Sequence, residues 1–182
     1  MAFWRFHWSA RRSSSIPFIL LLLAAGWLVA CQSEDHPLAF EPIVQEALGG
    51  VDSPYYGHAQ PVFEVVTTAE EVEALKGSIQ IWTLEALRSV DFDRYFAVIV
   101  FHRQIGWMPH SPEGLVVEQV TRRGDEVIIS ATFYDDPNNV VRGQIVSSPY
   151  QVVKIEKEEV QGEIDFVVNV DGQSAQEQYF IP

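Results

Sequence analysis

The stretch Tyr95-Phe96-Ala97-Val98-Ile99-Val100-Phe101 decides the fold class. It is almost wholly apolar and rich in β-branched and aromatic side chains, which fit a pleated strand. A strand with one wet face alternates apolar and polar residues, whereas an unbroken apolar run needs cover on both faces. Residues 95–101 therefore read as a central strand with material packed above and below.

Upstream, Val90-Asp91-Phe92-Asp93 reads as the turn that enters this strand. Ile79 to Ser89 places Ile79, Trp82, Leu84 and Leu87 at loosely helical spacing. Thr68-Ala69-Glu70-Glu71 is a capping box, in which the Thr68 hydroxyl accepts from the third helical amide and Glu71 reaches back. A helix should run from it to about Lys76 and stop at Gly77. Pro61 to Val66 reads as a strand.

Downstream, Arg103 to Glu113 carries Gly106, Pro109 and Pro112 and reads as a loop. Leu115 to Thr121 and Asp125 to Tyr134 flank Arg122-Arg123-Gly124-Asp125, a hairpin pattern. Asp135 to Asn139 is a loop. Gln151 to Glu156 and Glu163 to Val170 are two further strands, with a turn near Gly162. Asp171-Gly172 is a turn into a last edge strand, Ala175 to Ile181. The expected domain spans 61–182 and is α+β: a small, mostly antiparallel β domain with one or two short helices near its N-terminal side.

The first thirty residues read as an address. A basic region, Arg5 to Arg12, precedes fifteen uncharged residues from Ile16 to Ala30, the length of a signal-peptide core and short of a comfortable bilayer span. Leu28-Val29-Ala30-Cys31 then resembles the bacterial lipobox. In that pathway Cys31 is acylated, with palmitate-type chains, and becomes the first residue of the mature protein. Cys31 is the sole cysteine, so the exported domain has no disulfide and must rest on its core. Residues 1–30 are expected to be the signal peptide. Residues 31–60, with Pro37, Pro42, Gly49, Gly50, Pro54 and Gly57, read as a flexible tether. Ala39 to Leu48 is its one stretch suited to a short strand or helix.

The formal net charge is -13. The leader contains Arg5, Arg11 and Arg12 and no acid, so its removal leaves 9 basic against 25 acidic side chains. Such a surface excludes nucleic acid, where Lys and Arg must replace phosphate counterions. It also offers no basic patch for anionic lipid, so attachment to the membrane is expected through lipid on Cys31.

Signatures of catalysis are absent from the sequence. There is no Gly-x-Ser-x-Gly elbow, and Ser147 and Ser148 precede Pro149 in a turn-like setting. Asp135, Asp136, Asn138 and Asn139 lack the Gly and distal Glu of a calcium loop. The expectation is a non-enzyme without cofactor or metal. The competing reading is a metal-handling protein or enzyme using His102 and His110, which bracket one loop, together with nearby acids. Within that loop Arg103, Ile105, Trp107 and Met108 form the best partner-binding candidate, because Trp and Arg are over-represented in binding hot spots.

Val90-Asp91-Phe92-Asp93 before residues 95–101, with Ser148-Pro149-Tyr150-Gln151-Val152-Val153-Lys154-Ile155, resembles the C-terminal domain family of PrcB, a protease-complex subunit. The resemblance covers roughly 61–170. The family's central strand leads into a Gly-Arg-x-Thr-Gly-Gly-Tyr-like turn, whereas His102 to His110 here lacks the Gly-Gly-Tyr element. The resemblance implies a small α+β domain on an exported lipoprotein, acting in binding or assembly. The expected function is a binding or assembly module at the cell membrane or outer membrane, facing outside the cytoplasm, with a protein partner in the cell envelope.

Overall fold

Residues 95–101 form a strand whose side chains from Phe96 to Phe101 are all buried. It lies inside a sheet, as its composition requires. In a computed structural model, residues 34–46, 57–104, 114–134 and 148–182 are described. Their elements in chain order are β1 (His36–Pro37), β2 (Phe40–Glu46), β3 (Val62–Val66), α1 (Ala69–Ala74), α2 (Ile81–Arg88), β4 (Tyr95–Phe101), β5 (Leu115–Arg123), β6 (Glu126–Phe133), β7 (Tyr150–Glu156), β8 (Gly162–Val170) and β9 (Gln173–Ile181). A 3-10 turn, Lys157–Glu159, joins β7 towards β8. None of the described helices is long and apolar enough to cross a membrane.

The strands form two sheets, β1-β5-β6-β8-β9 and β2-β7-β4-β3. Every pairing is antiparallel except β6 with β8. The expected small, β-rich and mostly antiparallel domain with few helices is what forms.

Side-chain alternation divides β4 between two cores. Phe96, Val98 and Val100 meet Val127, Ile129, Ile164, Phe166 and Val168 of the five-stranded sheet. Ala97, Ile99 and Phe101 meet Val72, Leu75, Leu84 and Leu87 of the helices. The four-stranded sheet is thus the middle of three layers. β8 has one dry face only, and there the buried Ile164, Phe166, Val168 and Val170 alternate with partly exposed residues.

Local signals act where the sequence places them. Thr68 Oγ1 accepts from the Glu71 amide at 3.2 Å, and Glu71 Oε2 accepts from the Thr68 amide at 3.2 Å. Gly77 adopts φ +88 beyond the end of α1, a conformation that costs glycine little. The β8–β9 turn is Asp171-Gly172 with φ 49 and 80, the doubly positive pair of a two-residue hairpin.

The compact unit begins at Glu34, well before Pro61. The segment read as tether supplies β1, paired with β5, and β2, paired with β7. β2 falls within Ala39 to Leu48, the stretch read as suited to a short strand or helix, although Pro42 interrupts its periodicity. An edge strand tolerates proline, and the register of β2 shifts between Pro42 and Val44. The bidentate pair of Asp35 with Arg123, at 2.6 and 3.0 Å, fastens the start of this segment to β5.

Candidate functional site

His102 and Asp171 meet at the end of the sandwich where β4 stops. His102 continues the β4–β7 ladder, donating its amide to Pro149 O at 2.8 Å. This fixes the backbone so that the imidazole turns inward, where it is only 4% exposed. The ring stacks on Phe133 at the end of β6, with centroids 4.5 Å apart and planes at 30°. Its Nδ1 lies 2.9 Å from Arg103 O, and its Nε2 lies 3.4 Å from Asp171 Oδ2. Asp171 is held by its turn and by its own Oδ1, which accepts from the Phe133 amide at 3.2 Å.

Both ring nitrogens of His102 therefore face acceptors. A neutral imidazole has one N–H and can serve only one of them, whereas imidazolium serves both. Burial opposes the charged form and holds the His102 pKa below the usual histidine value, despite the upward pull of Arg103 O and Asp171. The arrangement is a buried histidine facing an exposed aspartate, and in its neutral state the ring donates to only one of its two acceptors.

Around this pair, Ser148 Oγ is buried with no hydrogen-bond partner among the described residues. Gln104 donates its amide to His58 O at 2.9 Å, tying the stretch before β3 to the stretch after β4. Arg103 is exposed beside the buried histidine. Ile105, Trp107, Met108 and His110 lie outside the described residues, as does Cys31. Among the described residues no three His, Cys, Asp or Glu side chains group as metal ligands.

Two surface hollows lie elsewhere. One, of about 170 Å³, is lined by Phe40, Glu41, Tyr95, Lys154 and Glu156. The other, of about 490 Å³, is lined by Thr67, Thr68, Phe92, Asp93, Lys157 and Pro182. Lys157 is buried and donates to Thr67 O at 3.1 Å.

Sequence reasoning singled out His102 and Arg103 but missed Asp171 as the partner of His102. The only sequence signal at Asp171 was the Asp-Gly turn, and that signal concerns the backbone. Lys157 was hidden in the same way, within a charged turn. In comparisons with known proteins, no family model, no curated protein and no solved structure matches the chain.

Proposed function

We propose that this chain is an exported lipoprotein, anchored through Cys31, whose PrcB-like α+β domain serves as a binding or assembly module at the outer side of a membrane. The observation that carries the reading is Leu28-Val29-Ala30-Cys31 after an uncharged run, with Cys31 the sole cysteine. The start of the compact unit at Glu34 supports it. Cleavage before Cys31 would remove the leader and leave every described strand intact.

The proposal also sets a distance. Only residues 31–35 separate the lipid from β1. At roughly 3.3–3.6 Å per extended residue, they reach less than about 20 Å. The domain would sit close to the headgroups rather than on a long stalk, leaving its far faces for a partner in the envelope. The placement of the family-like phrases supports this reading: residues 90–93 feed β4, and residues 148–155 enter and form most of β7, its direct neighbour.

Metabolic labelling with a fatty acid tests the anchor. Cys31→Ser should abolish labelling and accumulate uncleaved precursor, and labelling that persists would refute it. In situ crosslinking of the lipidated full chain tests the module, which requires the same envelope protein to be captured repeatedly.

A further inference from the structure

Among the described residues the two sheets end on four strands, β1, β9, β2 and β3, and three of these carry defences against pairing. β1 is two residues long and ends in Pro37. β2 contains Pro42 and a register shift. β3 is five residues long, follows Pro61 and carries Glu64. Short strands, prolines, bulges and charges are the devices that keep edges from pairing with other chains.

β9 has almost none of them. It runs nine residues, Gln173-Ser-Ala-Gln-Glu-Gln-Tyr-Phe-Ile181, and pairs with β8 in unbroken register from Gln173 to Ile181. It contains no proline, and Glu177 is its one charge. No described residue pairs with its other side.

The turn defines which backbone groups are open. A two-residue turn closes on a hydrogen-bonded pair, here Val170 with Gln173. Antiparallel alternation then directs the N–H and C=O of Gln173, Ala175, Glu177, Tyr179 and Ile181 to β8. Those of Ser174, Gln176, Gln178 and Phe180 point away from the sheet. These same four residues have exposed side chains, and Phe180 is 65% exposed.

The strands around this edge carry charge of one sign, with Lys157 near its end beside Pro182. Tyr179 packs on Phe63 with centroids 5.9 Å apart, which sets β9 beside β3. Together β3, β8 and β9 hold Glu64, Glu163, Asp165 and Glu177, and no Lys or Arg. A second copy of this strand would bring like charges together. An added strand would lie about 4.8 Å from β9, which carries Glu177, and about twice that from β8, which carries Glu163 and Asp165, so an extended segment with long Lys or Arg side chains at alternate positions complements them.

We infer that the open edge of β9 docks an extended, Lys- or Arg-bearing segment of a partner protein, which adds a sixth strand to the β1-β5-β6-β8-β9 sheet. This rests on the binding-module reading and names its surface.

The test uses the full chain in detergent micelles, with amide exchange followed residue by residue. The probes are a blocked eight-residue Lys/Val alternating peptide and its Glu/Val counterpart. The Lys/Val peptide should slow exchange at Ser174, Gln176, Gln178 and Phe180 at least ten-fold at saturation, and the Glu/Val peptide should not. Gln176→Pro removes one outward N–H and none that bonds β8, so it should weaken the peptide at least ten-fold with the β8–β9 amides still protected. N-methylation of alternate peptide amides makes the same test without altering the protein: methylating one of the two alternating sets should abolish binding.

The inference is overturned if the four amides stay unprotected at saturating peptide, if both peptides bind alike, or if Gln176→Pro and both methylated peptides bind unchanged. Protection already present in the free chain overturns it as well. Concentration-dependent protection would then identify a second copy, and concentration-independent protection the chain's own segment. A partner crosslinked reproducibly away from β9 would remove this inference and leave the module reading standing. Failure to crosslink any partner would remove the module reading itself.

Discussion

Gln151 offers the sharpest test of how the two sheets are joined. It lies on β7, is 3% exposed, and its Oε1 accepts from the Val117 amide of β5 at 2.5 Å. Val117 stands where the β5–β6 register shifts, between Val117 and Gln119. A bulge disrupts the ladder locally, so an amide there needs a partner from elsewhere. Gln151→Leu keeps the approximate volume and removes the acceptor. Leaving a buried donor unpaired costs about 1–3 kcal/mol. Full burial of a leucine side chain returns about 1.5–3 kcal/mol relative to exposure, but the glutamine methylenes already supply part of that. We expect a net loss of about 1–2 kcal/mol. Urea unfolding of the full chain, followed by far-ultraviolet circular dichroism, measures it. With a slope of about 1–3 kcal/mol per molar, the midpoint should fall by roughly 0.3–2 M at unchanged slope. The Val117 amide should also lose exchange protection before its neighbours. An equal or higher midpoint at unchanged slope would refute the assignment of Gln151 as the partner of the bulge amide.

Two further outcomes follow from local geometry. Because burial lowers the His102 pKa, the unfolded chain takes up its proton first; stability contributed by neutral His102 is complete above the unfolded value of about 6.5 and is lost as pH falls through it towards the lower folded value. Urea midpoints measured from pH 8 to pH 5 should therefore decline for the parent chain and decline less for His102→Gln, and parallel curves would contradict this. Thr68→Ala removes the hydroxyl that accepts from Glu71 and should cost about 0.5–2 kcal/mol in the same unfolding assay, whereas Thr68→Ser should recover most of it.

Several elements were legible because their signals are local. The capping box at Thr68 and Glu71 acts within one helical turn. The Gly124-Asp125 and Asp171-Gly172 turns depend on backbone conformation at two residues each. Continuous burial of β4 followed from its composition alone. The strand from Phe40 to Glu46 was less legible, since Pro42 interrupts its pattern and its partner β7 is about a hundred residues away in sequence. The candidate site was half legible. His102 stood out as a histidine at a strand end, but Asp171 reaches it only because β6 and β8 run parallel and bring the ends of both strands beside β4.

By itself the sequence determined the acidic charge, the short helices, most strands and their turns. These depend on residue type and on neighbours a few positions away. The tertiary structure decided which sheet each strand joins, and that β7 and β8, consecutive in the chain, lie in different sheets. It decided that residues 36–46 join both sheets, that Gln151 meets Val117, and that no described residue pairs with the outer side of β9. The physical reason is that a strand's alternation specifies how many of its faces must be dry. It does not specify which distant strand dries them. That choice is made when all apolar faces are buried together, and it also determines which edge is left over.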